Sequence, residues 1–148
     1  MSIRKILVVC LILFVAGCAC RTKSVGHEVA HIPTPGVESQ LRDVRFAFDS
    51  YEIDRSAAAL LQSHAEWLNA NPQATVQIEG HCDERGTSEY NMVLGTNRAQ
   101  AVREYLRGLG ISGDRMTTVS YGKELPLDPR SNEEAWAKNR RAHFNVQE

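Results

Sequence analysis

The stretch "DRSAAALLQSHAEWLNANPQATVQIEG", Asp54–Gly80, sets a helix and a strand back to back. Asp54 is suited to cap a helix, with Ile53 placed to staple its first turn. Ala57, Leu60, Leu61, His64 and Leu68 then recur at helical spacing, and "NANP" ends the pattern at Pro72. "ATVQIEG", Ala74–Gly80, switches to strict alternation, as a strand with one buried face requires. His64 lies on the apolar stripe and reads as a packed residue rather than a ligand.

The same two periods continue on either side. Upstream, "VRFAF", Val44–Phe48, predicts a strand with Val44, Phe46 and Phe48 on one face. Downstream, Val93, Leu94, Ala101, Val102, Tyr105, Leu106 and Leu109 form the apolar face of a second helix. Gly95 is expected to bend it or to separate a first short turn, and Gly108 and Gly110 to close it. "RMTTVSYG", Arg115–Gly122, predicts a third strand. Pro126 and Pro129 mark a loop, Ser131 with Glu134 a capping box for a helix to about Asn139, and "RAHFNV" a last strand. The order β-α-β-α-β-α-β predicts an α/β (α+β) sandwich, with helices packed on one face of a mixed four-stranded sheet. Residues 41–148 suffice for one domain with a single core, and there is no internal repeat.

The N-terminus carries an address. Arg4 and Lys5 precede the apolar run "ILVVCLILFVAG", Ile6–Gly17, which is short of the roughly 20 residues a spanning helix needs. A basic start, a short apolar core and small residues at its end describe a secretory signal peptide over 1–17. "VAGC", Val15–Cys18, resembles the lipobox of bacterial lipoproteins, in which the cysteine is acylated after cleavage. That likeness implies lipidation at Cys18 and a firm anchor, because two or more acyl chains hold where one binds only marginally. Ala19 follows Cys18, and by enterobacterial sorting rules the lipid-anchored domain would travel to the outer membrane and face the periplasm. Residues 18–40, with two prolines, two glycines and no periodicity, read as a flexible linker of roughly 25 Å r.m.s. span. Removing Arg4 and Lys5 takes Lys+Arg from 17 to 15 against 18 Asp+Glu, so net charge moves from -1 to -3. No nucleic-acid partner is expected of such a chain. Cys20 and Cys82 remain as two thiols with nothing in the sequence to bring them together.

The second strand runs into "EGHCDERGT", Glu79–Thr87, where ligand-type residues crowd. A metal site is not expected, because neighbouring side chains diverge and no pair has zinc-ligand spacing. Cys82 beside His81 lacks the geometry of an activated thiol with an oriented base, and reads as a small buried residue. Asp83, Arg85 and Gly86 fall on a loop that a rigid scaffold could present. Arg98 follows fifteen positions after Asp83. If the second helix packs back, an acid and a guanidinium would flank one pocket and receive a zwitterion. A structural ion pair between Asp83 and an arginine is the competing reading. The residues alone leave both open.

"GHCDERGTSEYNMVLGTNRAQAVREYL", "VSYGKELP" and "AWAKNRRAHF" closely resemble OmpA-like C-terminal domains, and among them the peptidoglycan-associated lipoproteins, over Val44–Val146. The resemblance implies a non-enzymatic protein without cofactor. It implies binding of peptidoglycan through the ammonium and carboxylate of meso-diaminopimelate. By motif position Asp83 would take the ammonium and Arg98 the carboxylate. Asp49, in "FAFDSYEI", would add polar contacts with Tyr51 nearby, and Arg85 would line the groove. Asn139, Arg140 and Arg141 would buttress the site, and replacing Asp83 or Arg98 would abolish binding with the fold intact. It also implies TolB and TolA as partners in the Tol–Pal system of envelope integrity and division. The family's usual "LGxRRA" is reduced here to Asn97-Arg98, and Cys82 stands where many relatives carry threonine or alanine. The alternatives are an OmpA-like lipoprotein of a secretion or adhesion system, and a periplasmic thiol or metal hydrolase using His81, Cys82 and Glu84.

Overall fold

The computed structural model describes residues 41–147. They form β1 (Val44–Arg45), α1 (Arg55–Ala70), β2 (Thr75–His81), α2 (Ser88–Gly108), β3 (Met116–Gly122), α3 (Glu133–Asn139) and β4 (Arg141–Gln147), with a 3₁₀ turn at Gly113–Arg115. The sheet order is β1-β4-β2-β3. β2 and β3 run parallel, while β4 is antiparallel to both β1 and β2. This is the predicted mixed four-stranded sheet. The expected signal peptide, lipidation at Cys18 and linker fall on residues outside those described.

α1 begins and ends for the reasons its sequence gives. Asp54 accepts from the backbone N–H of Ala57 at 2.7 Å, a cap worth about 1 kcal/mol. Ala57, Leu61, His64, Ala65 and Leu68 are buried, against Val76 and Ile78 of β2, Phe144 of β4 and the inner face of α2. The His64 ring meets Phe144 edge-on at 4.7 Å. Neither of its nitrogens has a hydrogen-bond partner among the described residues.

α2 buries Leu94, Val102 and Leu106 of the expected face and packs Tyr105 against the core, but departs from expectation elsewhere. Its buried residues are Asn91, Leu94, Gly95, Arg98, Ala99, Val102 and Leu106, and Val93 is 61% exposed. Apolar spacing missed part of the face because two of its inward positions are polar residues with partners of their own. Gly95 does not break the helix, which runs on from Ser88 to Gly108. A Cβ on Gly95 would lie 2.3 Å from Ser120 Oγ, and one on Gly80 only 1.8 Å from the Gly95 carbonyl oxygen. The two glycines let helix and strand touch backbone to backbone.

Two further expectations are corrected. β1 ends at Arg45, and Phe46 makes one more bond, donating its N–H to the Arg140 carbonyl at 3.0 Å. The chain then turns through Asp49, whose φ of 53° is left-handed. Phe48 therefore leaves the face of Val44 and Phe46 and stands 59% exposed. At α3 the cap is Asn132, not Ser131; its side chain accepts from Ala135 N–H at 2.9 Å. Glu134 turns instead to Lys138 at 2.7 Å and Arg130 at 3.2 Å.

Candidate binding cleft at the end of the second strand

The loop between β2 and α2 is held at every turn. Cys82 N–H donates to the Gly122 carbonyl at 2.7 Å. The Asn91 amide donates to the carbonyls of Arg85 and Thr87 at 2.8 and 3.0 Å. Lys123 Nζ reaches the Gly86 carbonyl at 2.7 Å. Gly86 turns with φ 91°, a conformation that suits glycine. Buried Asn91 is thus the brace of the loop.

His81, Cys82, Asp83 and Glu84 go four separate ways. His81 stacks on Tyr121 at 5.5 Å and lies 3.6 Å from Glu79. Cys82 Sγ approaches the Asn91 carbonyl at 3.4 Å, and burial pushes its thiol pKa up. Glu84 accepts from Trp136 Nε1 at 3.0 Å. Among the described residues no three His, Cys, Asp or Glu side chains gather to hold a metal ion.

Asp83 faces a cleft of about 180 Å³ that also takes in Phe48, Asp49, Arg85, Tyr90 and Arg98. A larger open groove, about 790 Å³, lies along β1 and the start of α1, and none of the predicted site residues lines it. The smaller cleft carries the chemistry because it joins a buried anion to a buried cation. Asp83 is 4% exposed and Arg98 0%. Burial alone would raise the Asp83 carboxyl pKa, but hydrogen bonds from Arg85, and then from Arg140, outweigh it and hold it below the usual value. Burial pushes the Arg98 guanidinium down, and Asp83 is among the groups that oppose this.

Arg98 is a strap as well as a charge. Its Nε donates to the Ser50 carbonyl at 2.9 Å, Nη1 to His81 at 2.8 Å and Nη2 to Ala47 at 3.2 Å. It ties the loop after β1 to the end of β2. Three of its five N–H groups are so engaged. Asp49 lines the same cleft, and its carboxylate accepts from the Tyr90 hydroxyl. Tyr51 does not join them; it is half exposed and outside the cleft lining.

Arg85 closes the cleft. Its Nε and Nη2 fork onto Asp83 at 3.2 and 2.6 Å. Its guanidinium sits between Phe48 and Trp136, 4.0 and 4.3 Å from the ring centroids. Arg140 touches Asp83 from the other side at 3.2 Å, while donating to the Phe46 carbonyl at 3.1 Å and to Glu133 at 2.7 Å. Asn139 makes a two-way pair with the Asp128 backbone, and Arg141 meets Asp43 at 3.3 Å. The structural ion pair and the convergence of Asp83 with Arg98 are therefore both present. Phe48, Tyr90 and Trp136 went unread as site residues. Their only signal was aromatic character in segments otherwise read for charge or for a strand.

The sequence and the fold match a known class. The OmpA family model covers residues 45–140, and the chain belongs to that family. It is 39% identical to the peptidoglycan-associated lipoprotein of Pasteurella multocida over 131 residues, which span 88% of this chain and 87% of the relative. The protein of the same name from Haemophilus influenzae is 44% identical over 117 residues, 79% of this chain and 73% of the relative. The crystal structure of the peptidoglycan-associated lipoprotein from Burkholderia pseudomallei superposes with a TM-score of 0.70 at 49% identity. It covers 72% of this chain and 90% of that one. Within the OmpA family the chain groups with these lipoproteins. The C-terminal domain of Helicobacter pylori MotB, 20% identical with a TM-score of 0.68 over 72% of this chain and 84% of that one, shares the fold.

Proposed function

We propose that the chain is an outer-membrane lipoprotein that binds peptidoglycan non-covalently through the meso-diaminopimelate of its stem peptide. The observation that carries this is a buried carboxylate and a buried guanidinium lining one small cleft, Asp83 and Arg98. Ammonium and carboxylate on one carbon suit such a pair. In this reading Asp83 takes the ammonium, the Arg98 guanidinium takes the carboxylate, and Asp49 with Tyr90 adds polar contacts at the rim. The names of the relatives support peptidoglycan as the partner.

Charge-assisted hydrogen bonds contribute about 1.5–3 kcal/mol each, so a few such contacts give one site modest affinity. Many copies anchored through acylated Cys18 and facing a polymer would add avidity. Together they would staple outer membrane to wall, with TolB and TolA as partners in the Tol–Pal system. Asp83→Asn keeps shape and removes charge. It is expected to cut co-sedimentation with purified sacculi at least tenfold while the circular dichroism spectrum stays unchanged. Undiminished sedimentation of that variant would count against the assignment.

A further inference from the structure

The carboxylate assigned to the ligand is already saturated. Asp83 Oδ1 accepts from the Arg85 backbone N–H at 3.1 Å and from Arg85 Nε at 3.2 Å. Oδ2 accepts from Arg85 Nη2 at 2.6 Å and Arg140 Nη1 at 3.2 Å. A carboxylate offers about four acceptor sites, and all are taken. An incoming ammonium cannot be added. It must replace something.

The groups differ in how readily they can leave. Arg140 is buried and also holds the Phe46 carbonyl and Glu133. Arg85 has a side chain 33% exposed, and beyond Asp83 it has Glu133, 3.9 Å from Nη2, and Glu84 as acidic neighbours. The faces of Phe48 and Trp136 give its guanidinium a slot in which to slide. Glu133 stands at that slot to receive it.

Resting on the peptidoglycan reading above, we propose that Arg85 is a displaceable intramolecular competitor for Asp83 and thereby sets ligand selectivity. The fork it makes is bidentate and tethered two residues away, so its effective concentration is high. A lone ammonium, such as a lysine side chain, exchanges that fork for a single point charge and gains nothing elsewhere. A diaminopimelate side chain brings a carboxylate as well, which Arg98 or the released Arg85 can engage. Only the zwitterion repays the displacement.

The test compares wild type with Arg85→Met, which keeps an unbranched apolar chain in the aromatic slot. Calorimetric titration uses two tripeptides, one ending in meso-diaminopimelate and one ending in lysine. Wild type should prefer the first. In Arg85→Met the lysine peptide should gain about tenfold in affinity, as removal of an occupying state requires, and the preference should narrow. Indole emission from Trp136 should change on saturation of wild type and stay constant in the variant. A variant with unchanged preference, or with weaker binding of both peptides, overturns the competitor role and leaves the peptidoglycan reading standing. A wild type that binds neither peptide overturns both.

Discussion

Arg98 holds structure as well as lining the cleft, and its substitution is expected to disturb both. Its three carbonyl bonds hold the loop after β1 against the end of β2. Arg98→Ala would leave those carbonyls short of a donor inside the fold, where each unpaired group costs about 1–3 kcal/mol. The expected loss is about 3 kcal/mol of unfolding free energy by urea denaturation, with ligand binding lost as a consequence. These bonds make stability, beside wall binding, a quantity to measure in this variant. Arginine 98 could be read from the sequence as a ligand group, but not as a strap, because backbone carbonyls leave no trace in side-chain patterns. Asp83 was legible as an acid of the loop, and the structure gives it ion pairs with Arg85 and Arg140 and a place in the cleft lining. Tyr51 was named for its nearness to Asp49, and it lies outside the cleft lining that Asp49 joins.

α1 and α2 show what periodicity can and cannot supply. α1, its Asp54 cap and its stop before Pro72 were readable because every inward position but one is apolar. The exception, His64, has its pKa lowered to about 4 by burial and then by Arg42. The folded ring stays neutral while the unfolded chain takes up a proton below 6.5. Stability therefore falls as pH drops from 6.5 toward 4, by about 3 kcal/mol in all, and this contribution changes no further below that. In His64→Leu, thermal melts across the window should show a flatter pH dependence. The inner face of α2 was legible at Leu94, Val102 and Leu106 and missed at Asn91 and Arg98, which are buried among the apolar residues although polarity alone reads them as outward. Its glycine was legible as unusual, while its cause, contact with Gly80 of β2, is a fact of tertiary packing. Gly95→Ala tests this. Helix propensity favours the change by about 1 kcal/mol, and overpacking opposes it by about 1–3 kcal/mol. A lowered melting temperature is expected; a raised one would show that helix and strand have slack.

Across the whole domain, the fold's task is to bring three distant segments to one end of the sheet. The turn after β1 delivers Phe48 and Asp49, the loop after β2 delivers Asp83 and Arg85, and α2 delivers Tyr90 and Arg98. β4 and α3 close the set through Arg140 and Trp136. The mixed sheet makes this possible because antiparallel β4 lies between β1 and β2, so Arg140, just before it, can bond the end of β1 and Asp83 together. The element order was legible from alternation and helical spacing; this convergence was not, since it depends on strand order rather than on any local period. The most direct measurement is co-sedimentation of the purified protein with sacculi in the presence of free meso-diaminopimelate or free lysine. Diaminopimelate should release the protein at concentrations where lysine leaves it bound; release by both alike, or by neither, would contradict a cleft built for a zwitterion.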